Sequence, residues 1–327
     1  MSYERGAMSS SESILVIRHG ALGDFVQSIG PFHAIRARHQ NARIILLTAP
    51  FLQKFAAMMP FFDEVWVDTR PRWMQAVSLV KLMLKIKKPS FNRVYDLQTS
   101  GRTAFYFKLQ KLFYGLLGGK MAEWSSHVPG CTFAHATSER VKMHTLDRQR
   151  QQLLLAGFSD VPAPHFDWIP QTDVPPFKLK KPFALIVPQA SAHRPEKCYP
   201  LAEFRALMDL FIAKGVTPVV IGSEQDKDIS LSLSQIQQEK VIDLRGKTQL
   251  EDLVLLGRHA DVAVGNDTGP MHMFAIASCP VVALFSHASD PSLCAPRGKR
   301  VVILRKESFE DLPAALVWEY VEDVLDS

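Results

Sequence analysis

Cysteine is scarce in this 327-residue chain, which holds only Cys131, Cys198, Cys279 and Cys294. They are scattered, without Cys-x-x-Cys or Cys/His ligand spacing, so a disulfide scaffold and a zinc site are both excluded and four reduced thiols are expected. Long uncharged apolar runs are missing too, and no membrane-spanning helix is predicted. The polar start, Met1 to Glu12, has neither the cationic lead nor the apolar stretch of a secretory signal, and a cytoplasmic protein is the expectation. The first glycine turn lacks the complete G-x-G-x-x-G fingerprint, and no ribose-binding acidic position follows it at the usual distance, which counts against a nicotinamide-dependent oxidoreductase. Charge of one sign is only modestly in excess. With 38 basic and 33 acidic residues the formal net charge is +5, which favours anionic partners such as nucleotides, phosphorylated glycolipid or an acidic bilayer surface. The basic residues are dispersed and no nucleic-acid module is present, so nucleic acid is not an expected partner.

What is present is repeated βα winding. In the first half ILVIR, a helix to about His39, ARIILLT, a short helix, EVWVD, a helix from Met74 to Lys87 and RVYDLQ follow one another. Alternation of this kind predicts a parallel sheet with helices on both faces. A proline-dotted stretch with Pro162, Pro164, Pro170, Pro175, Pro176 and Pro182 then reads as a linker. The winding restarts with FALIVPQ, a helix from Leu201 to Lys214, TPVVIGS, a helix through Ser234, KVIDLRG, a helix near Leu250, DVAVGND and PVVALFS. Two domains are expected, residues 1–175 and 176–327, both α/β and doubly wound.

Two glycine turns stand where such sheets bind ligands, outside the carboxyl ends of strands. One is Gly265-Asn266-Asp267-Thr268-Gly269-Pro270-Met271-His272, between a short apolar run and an apolar helical face supplied by Met271, Met273, Phe274 and Ile276. Gly265 and Gly269 are free to take positive φ, and the amides of the new helix point at negative charge, so phosphate is the natural guest. The competing reading is a tight turn in which Asp267 or Thr268 only caps the helix. The other turn is Arg18-His19-Gly20-Ala21-Leu22-Gly23-Asp24, after ILVI and before an amphipathic helix. Asp24 stands near that helix start, where an acid also suits the helix dipole alone.

At these motifs the chain resembles the ADP-heptose:lipopolysaccharide heptosyltransferases, glycosyltransferase family 9. The matching pieces are IRHGALGD, LQTSGR at 97–102, EKCYP at 196–200, VIDLRGKTQLEDLVLL at 241–256 and GNDTGPMH, in family order from about Ile14 to about Arg297. The resemblance implies the GT-B fold, two Rossmann-like doubly wound domains facing each other across a cleft. In it the first domain takes the acceptor and the second the nucleotide-sugar donor, with a last helix-like piece, Glu307 to Val324, packing back on the first. It also implies transfer of a heptose or similar sugar from an ADP-sugar to a lipopolysaccharide core or related glycan, by inverting displacement, with no cofactor. The enzyme would then work on the inner face of the inner membrane.

Such transfer needs an acceptor hydroxyl to lose its proton and a departing diphosphate to be stabilised. Asp24 suits the first task, and the family pattern places its general base at this Asp; Arg18 and Gly23 beside it are the acceptor-binding candidates. Lys197 suits the second, since a flexible ammonium follows charge building on diphosphate oxygens. The family carries a Lys two residues before an aromatic-Pro pair, here Lys197-Cys198-Tyr199-Pro200 with Tyr where Trp is usual. A solvated Lys197, with Arg194 in its place, is the alternative. Thr268, Gly269 and adjoining amides would cradle the diphosphate, with Asp267 facing sugar hydroxyls. His272 reaches phosphate or sugar, or packs as an ordinary core histidine. Gln189 and Ser191 follow a strand and are phosphate donors by the same logic, while Glu224 accepts from ribose or caps a helix. Asp226-Lys227-Asp228 imitates a metal-binding Asp-x-Asp, but it sits at a helix-like start where acids meet the dipole, and no metal site is assigned.

Two lysine-edged apolar segments, Met74 to Lys88 and Phe105 to Lys120, read either as core helices or as contacts to an anionic membrane surface. The main rival function is a phosphohistidine-type phosphatase, since Arg18-His19-Gly20 ends a strand and Arg102 and His287 supply basic partners. It would leave Asp24, Lys197 and the second glycine turn without a role. A non-catalytic nucleotide-sugar binding protein is the other alternative.

Overall fold

A computed structural model describes residues 12–69, 91–189, 194–228 and 231–326. The chain divides into two compact units, Met1–Pro164 and His165–Ser327. The division thus falls ahead of the expected 175/176 boundary. The reason lies in Arg258, whose guanidinium donates to the carbonyls of Phe166, Ile169 and Pro170 and fastens the proline-dotted stretch to the second unit.

In the first unit the strands β1 (Ser13–Ile17), β2 (Arg43–Thr48), β3 (Glu64–Val67), β4 (Arg93–Asp96), β5 (Glu123–Ser126) and β6 (Phe133–Ala134) form one sheet in the order β3-β2-β1-β4-β5-β6. Every pair is parallel. In the second, β7 (Phe183–Val187), β8 (Thr217–Val220), β9 (Ile242–Asp243), β10 (Val262–Asn266), β11 (Val281–Phe285) and β12 (Val301–Arg305) form another, again wholly parallel, in the order β12-β11-β10-β7-β8-β9. Counted from each unit's own first strand, both orders are 3-2-1-4-5-6, the arrangement of a Rossmann sheet. The central strands β7, β10 and β11 are buried along their whole length, as continuous apolar runs covered on both faces must be.

Each run read as a strand in the sequence is a strand here. Three further strands are present: β5 and β6 carry no clear apolar pattern, EWSS being half polar and FA two residues long, whereas β12 is the apolar run VVILR. The helix expected through Ser234 differs. A 3-10 turn occupies Glu224–Asp228, and the helix is Gln235–Lys240, opened by Ser234 and Gln237, which bond each other's backbone amides in a capping box. The Met74–Lys88 segment lies outside the described residues. The last helix, Ala314–Leu325, starts after Pro313 and packs through Val317, Val321 and Val324 into the second unit's core, beside the helix Leu201–Ala213 and β10.

This winding creates one reversal of strand order in each sheet, at β1/β4 and at β7/β10. Loops leaving those neighbouring ends run to opposite faces and leave a crevice where a ligand fits. Gly265 belongs to the second reversal, but it lies inside β10 and neither it nor Gly269 has positive φ. Its glycine is needed for another reason: a Cβ there would stand 2.6 Å from Val187 Cβ and 2.8 Å from Val187 O, so β10 and β7 approach only without one.

Candidate functional site

At the first reversal the chain leaves β1 through Gly20, whose φ of +94° is the left-handed backbone that glycine supplies at least cost. Gln98, beyond β4, grips this turn from its neighbour: its Oε1 accepts from His19 N at 2.8 Å and its Nε2 donates to Gly20 O at 3.2 Å. The helix Leu22–Gln27 follows, with Gly23 buried and Asp24 in its first turn.

Arg18 braces that helix from within. Its buried guanidinium donates through Nε and NH2 to Asp24 O at 3.2 and 2.7 Å, and through NH1 to Leu97 O at 2.6 Å. NH2 also lies 3.4 Å from the Asp24 carboxylate. Burial lowers the Arg18 pKa, and the Asp24 charge works against that shift. Arg18 is therefore chiefly a support for Asp24, since most of its donors are spent on carbonyls. The Asp24 side chain is 44% exposed, so a substrate hydroxyl has access to it.

Asp24 opens on a polar cavity of about 170 Å³ whose walls include Arg18, Thr99, Arg140, Arg148 and Gln149. The helix Thr145–Leu155 supplies Arg148 and Gln149, and Gln152 ties it to the sheet by donating to Asp96 O at 2.9 Å and Ser125 O at 3.1 Å. Arg140 NH2 donates to Thr99 Oγ1 at 2.6 Å, and burial together with Arg148 pulls its pKa down to about 10. Three guanidiniums thus share one cavity with a single lining carboxylate. Both amide atoms of the buried Gln149 and the Nε of Arg140 have no hydrogen-bond partner among the described residues. Buried polar atoms left so are uncommon and point to a ligand that completes them. Neither arginine nor Gln149 is marked out in the sequence: TLDRQRQQLLL reads as an ordinary charged helix, and Arg140 stands ahead of it in the short polar turn Ser138–Lys142.

His19 tells against the phosphatase reading. Its ring is 2% exposed and turned inward, with Nε2 3.1 Å from Asp68 Oδ2, which also accepts from Tyr106 OH at 2.6 Å. A nucleophile in that position has no access to phosphate. Arg102 donates to Tyr106 OH, and His287 belongs to the second unit, where its Nδ1 lies 2.9 Å from Glu307 O.

At the second reversal Asn266 ends β10 and acts as a rivet: its Nδ2 donates to Pro188 O at 2.8 Å and its Oδ1 accepts from Tyr199 N at 2.9 Å. The chain after β7 is thereby held beside Asp267. Lys197 closes the 3-10 turn Pro195–Lys197, and its Nζ lies 2.6 Å from Asp267 Oδ2. Lys197 is thus no solvated surface lysine, its side chain being 15% exposed. Arg194, by contrast, is exposed and reaches Ala288 O at 3.5 Å. Ser289, in the loop after β11, donates to the same Asp267 Oδ2 at 2.8 Å, and Ser286 donates to Glu196 O at 2.7 Å. That third loop was not read from the sequence, where LFSHASD drew notice only for its histidine.

Thr268 is the N-cap residue of the helix Gly269–Ile276 in extended conformation, without a side-chain cap bond, and its carbonyl accepts from Met271 N at 3.2 Å. His272 is buried on this helix. Gln189 is partly buried just past β7, and Ser191 lies outside the described residues. Glu224, after β8, is 72% exposed and takes Lys227 Nζ at 2.8 Å. Asp226 accepts from Ser223 N and Oγ at 2.6 and 2.8 Å, the geometry of a turn cap.

Known proteins resemble the chain in sequence and in fold. The family model "Glycosyltransferase family 9 (heptosyltransferase)" matches residues 79–315. Lipooligosaccharide heptosyltransferase 2 of Haemophilus ducreyi is 34% identical over 117 residues, about a third of the length of each protein. The structure of E. coli ADP-heptose lipopolysaccharide heptosyltransferase II superposes with a TM-score of 0.76 at 21% identity, covering 96% of this chain and 98% of that one. E. coli heptosyltransferase WaaC with ADP gives 0.70 at 15%, covering 95% and 99%.

Proposed function

The chain belongs to glycosyltransferase family 9, the heptosyltransferases, and from that premise we propose that it moves a heptose from ADP-heptose to a hydroxyl of a lipopolysaccharide core or related glycan. The first unit takes the acceptor and the second the donor. Asp24 removes the proton of the attacking hydroxyl. That oxygen forms the new bond to the anomeric carbon as the bond to the diphosphate breaks, so the anomeric configuration inverts in one displacement. The diphosphate leaves against the Lys197 ammonium and the open amides at Thr268 and Gly269, fixed charges that need no rearrangement as negative charge builds.

The observation that carries this reading is the cavity at Asp24. Its three guanidiniums and the unpartnered Gln149 amide suit an acidic sugar, and the half-exposed Asp24 carboxylate lines it. A non-catalytic binding protein would have no use for that carboxylate. The test is transfer itself, with ADP-heptose, ADP-glucose and UDP-glucose each supplied with core oligosaccharide. The expected result is an inverted heptosyl product from ADP-heptose alone. Transfer from UDP-glucose instead, or none from any donor, would overturn the assignment.

A lipid-linked acceptor brings the enzyme to a bilayer surface. Among the described residues no helix is long and apolar enough to cross one. The helix Gly101–Leu117, however, exposes Phe105, Leu112 and Leu116 beside exposed Lys108 and Lys111, and the spacing 105, 108, 112, 116 lies along one face. We expect binding to phosphatidylglycerol-containing vesicles that weakens with salt and with Phe105→Ser, Leu112→Ser and Leu116→Ser combined. Absence of binding at low salt in a sedimentation assay would remove the membrane contact and leave the transferase reading standing.

A further inference from the structure

The Lys197–Asp267 pair sets two anions in rivalry for one cation. The ammonium that the proposed reaction needs on the diphosphate is 2.6 Å from Asp267 Oδ2, and the two side chains are only 15% and 8% exposed. Water screens a pair so placed poorly, so it is strong enough to compete. Asp267 cannot swing away freely, because Ser289 Oγ holds the same oxygen at 2.8 Å while the Asn266 rivet fixes the backbone beside it.

A complete nucleotide sugar and the nucleotide it leaves behind meet this pair differently. The donor draws Lys197 toward its diphosphate and offers sugar hydroxyls to the Asp267 carboxylate in exchange. Once the sugar has gone, the nucleoside diphosphate still claims Lys197 but has no hydroxyls to give Asp267. The carboxylate then keeps the Ser289 hydroxyl but has lost its counterion and lies beside a like charge, a costly arrangement in a poorly solvated place. It regains its partner only when the diphosphate departs.

We infer that Asp267 is a release device, an internal competitor for Lys197 that lowers affinity for the spent nucleoside diphosphate relative to the donor. This rests on the assignment of the donor to the second unit and adds to it a role for Asp267 beyond sugar contact. Lys197 and the cradle amides cannot favour the donor, since the terminal phosphate of the spent nucleotide carries more negative charge than the esterified one and attracts them more strongly.

The test is calorimetric titration of the full chain with ADP. Asp267→Asn keeps the shape of the side chain and an oxygen for Ser289 but surrenders the charge. It is expected to tighten ADP binding roughly tenfold, the scale of one charge-assisted contact regained by the ligand. In a Lys197→Met background the same replacement should gain much less, because the cation under competition is gone. Asp267→Ser provides a second neutral variant should the Asn protein fold poorly, with thermal unfolding as the check. Unchanged or weaker ADP binding in the folded neutral variants would overturn the inference, since a residue serving only to contact sugar or to position Lys197 predicts those results. Failure of wild-type protein to bind ADP, or binding indifferent to Lys197→Met, would instead overturn the donor-site assignment.

Discussion

Asp24→Asn is expected to lower turnover by roughly 10²–10⁴-fold, the range that a positioned general base contributes. The substitution removes the proton acceptor and little else. Arg18 and Ser28 hold the backbone carbonyl of Asp24, through Nε, NH2 and Oγ, and those bonds do not depend on the carboxylate. The side chain is 44% exposed and its contact with Arg18 NH2 is 3.4 Å, so loss of the charge changes stability only slightly. Steady-state kinetics and thermal unfolding, measured together, decide the matter. Turnover within a few-fold of wild type would refute the assignment of the base, and a large fall in unfolding temperature would recast Asp24 as structural.

Lys197→Ala is expected to cost roughly 10²–10³-fold in turnover, comparable to removal of a preorganised donor from a developing oxyanion. Here a stability effect accompanies it. Asp267 is 8% exposed, and stripping it of Lys197 leaves a poorly solvated carboxylate with Ser289 as a remaining partner. Lys197→Arg restores charge but not the compact ammonium, and partial recovery of turnover is expected from it. Stability and rate are separated by Lys197→Ala combined with Asp267→Asn, which relieves the stranded carboxylate without restoring the leaving-group cation. Recovery of stability without turnover is the predicted outcome. If the double variant regained turnover as well, Lys197 would be no more than the counterion of Asp267.

The apolar runs ILVI, FALIV, DVAVG and PVVAL were legible because a strand covered on both faces must be apolar throughout. β5 and β6 were not, since an EWSS strand near the sheet edge carries no such signature. Asp24, Lys197 and Asp267 stood out through glycine turns and family order. Arg140, Arg148 and Gln149 did not, for their spacing along the helix and turn is that of any solvated surface. Arg18, read as an acceptor contact, lines the cavity and also spends donors on the carbonyls of Asp24 and Leu97, bonds that no local pattern announces. His19 sits in a suggestive triplet, yet its direction depends on Asp68 at the end of β3, far along the chain.

By itself, then, the sequence determined what is local: alternating strands and helices, two units of parallel sheet, glycine at the turn after β1, and family membership written in short ordered motifs. Tertiary structure alone decided which strand ends became neighbours. A strand's periodicity records its own burial but not the identity of the strand beside it. The reversals at β1/β4 and β7/β10 therefore arise only when each sheet assembles. Those reversals turn scattered arginines into one cavity and put Lys197 against a carboxylate seventy positions away.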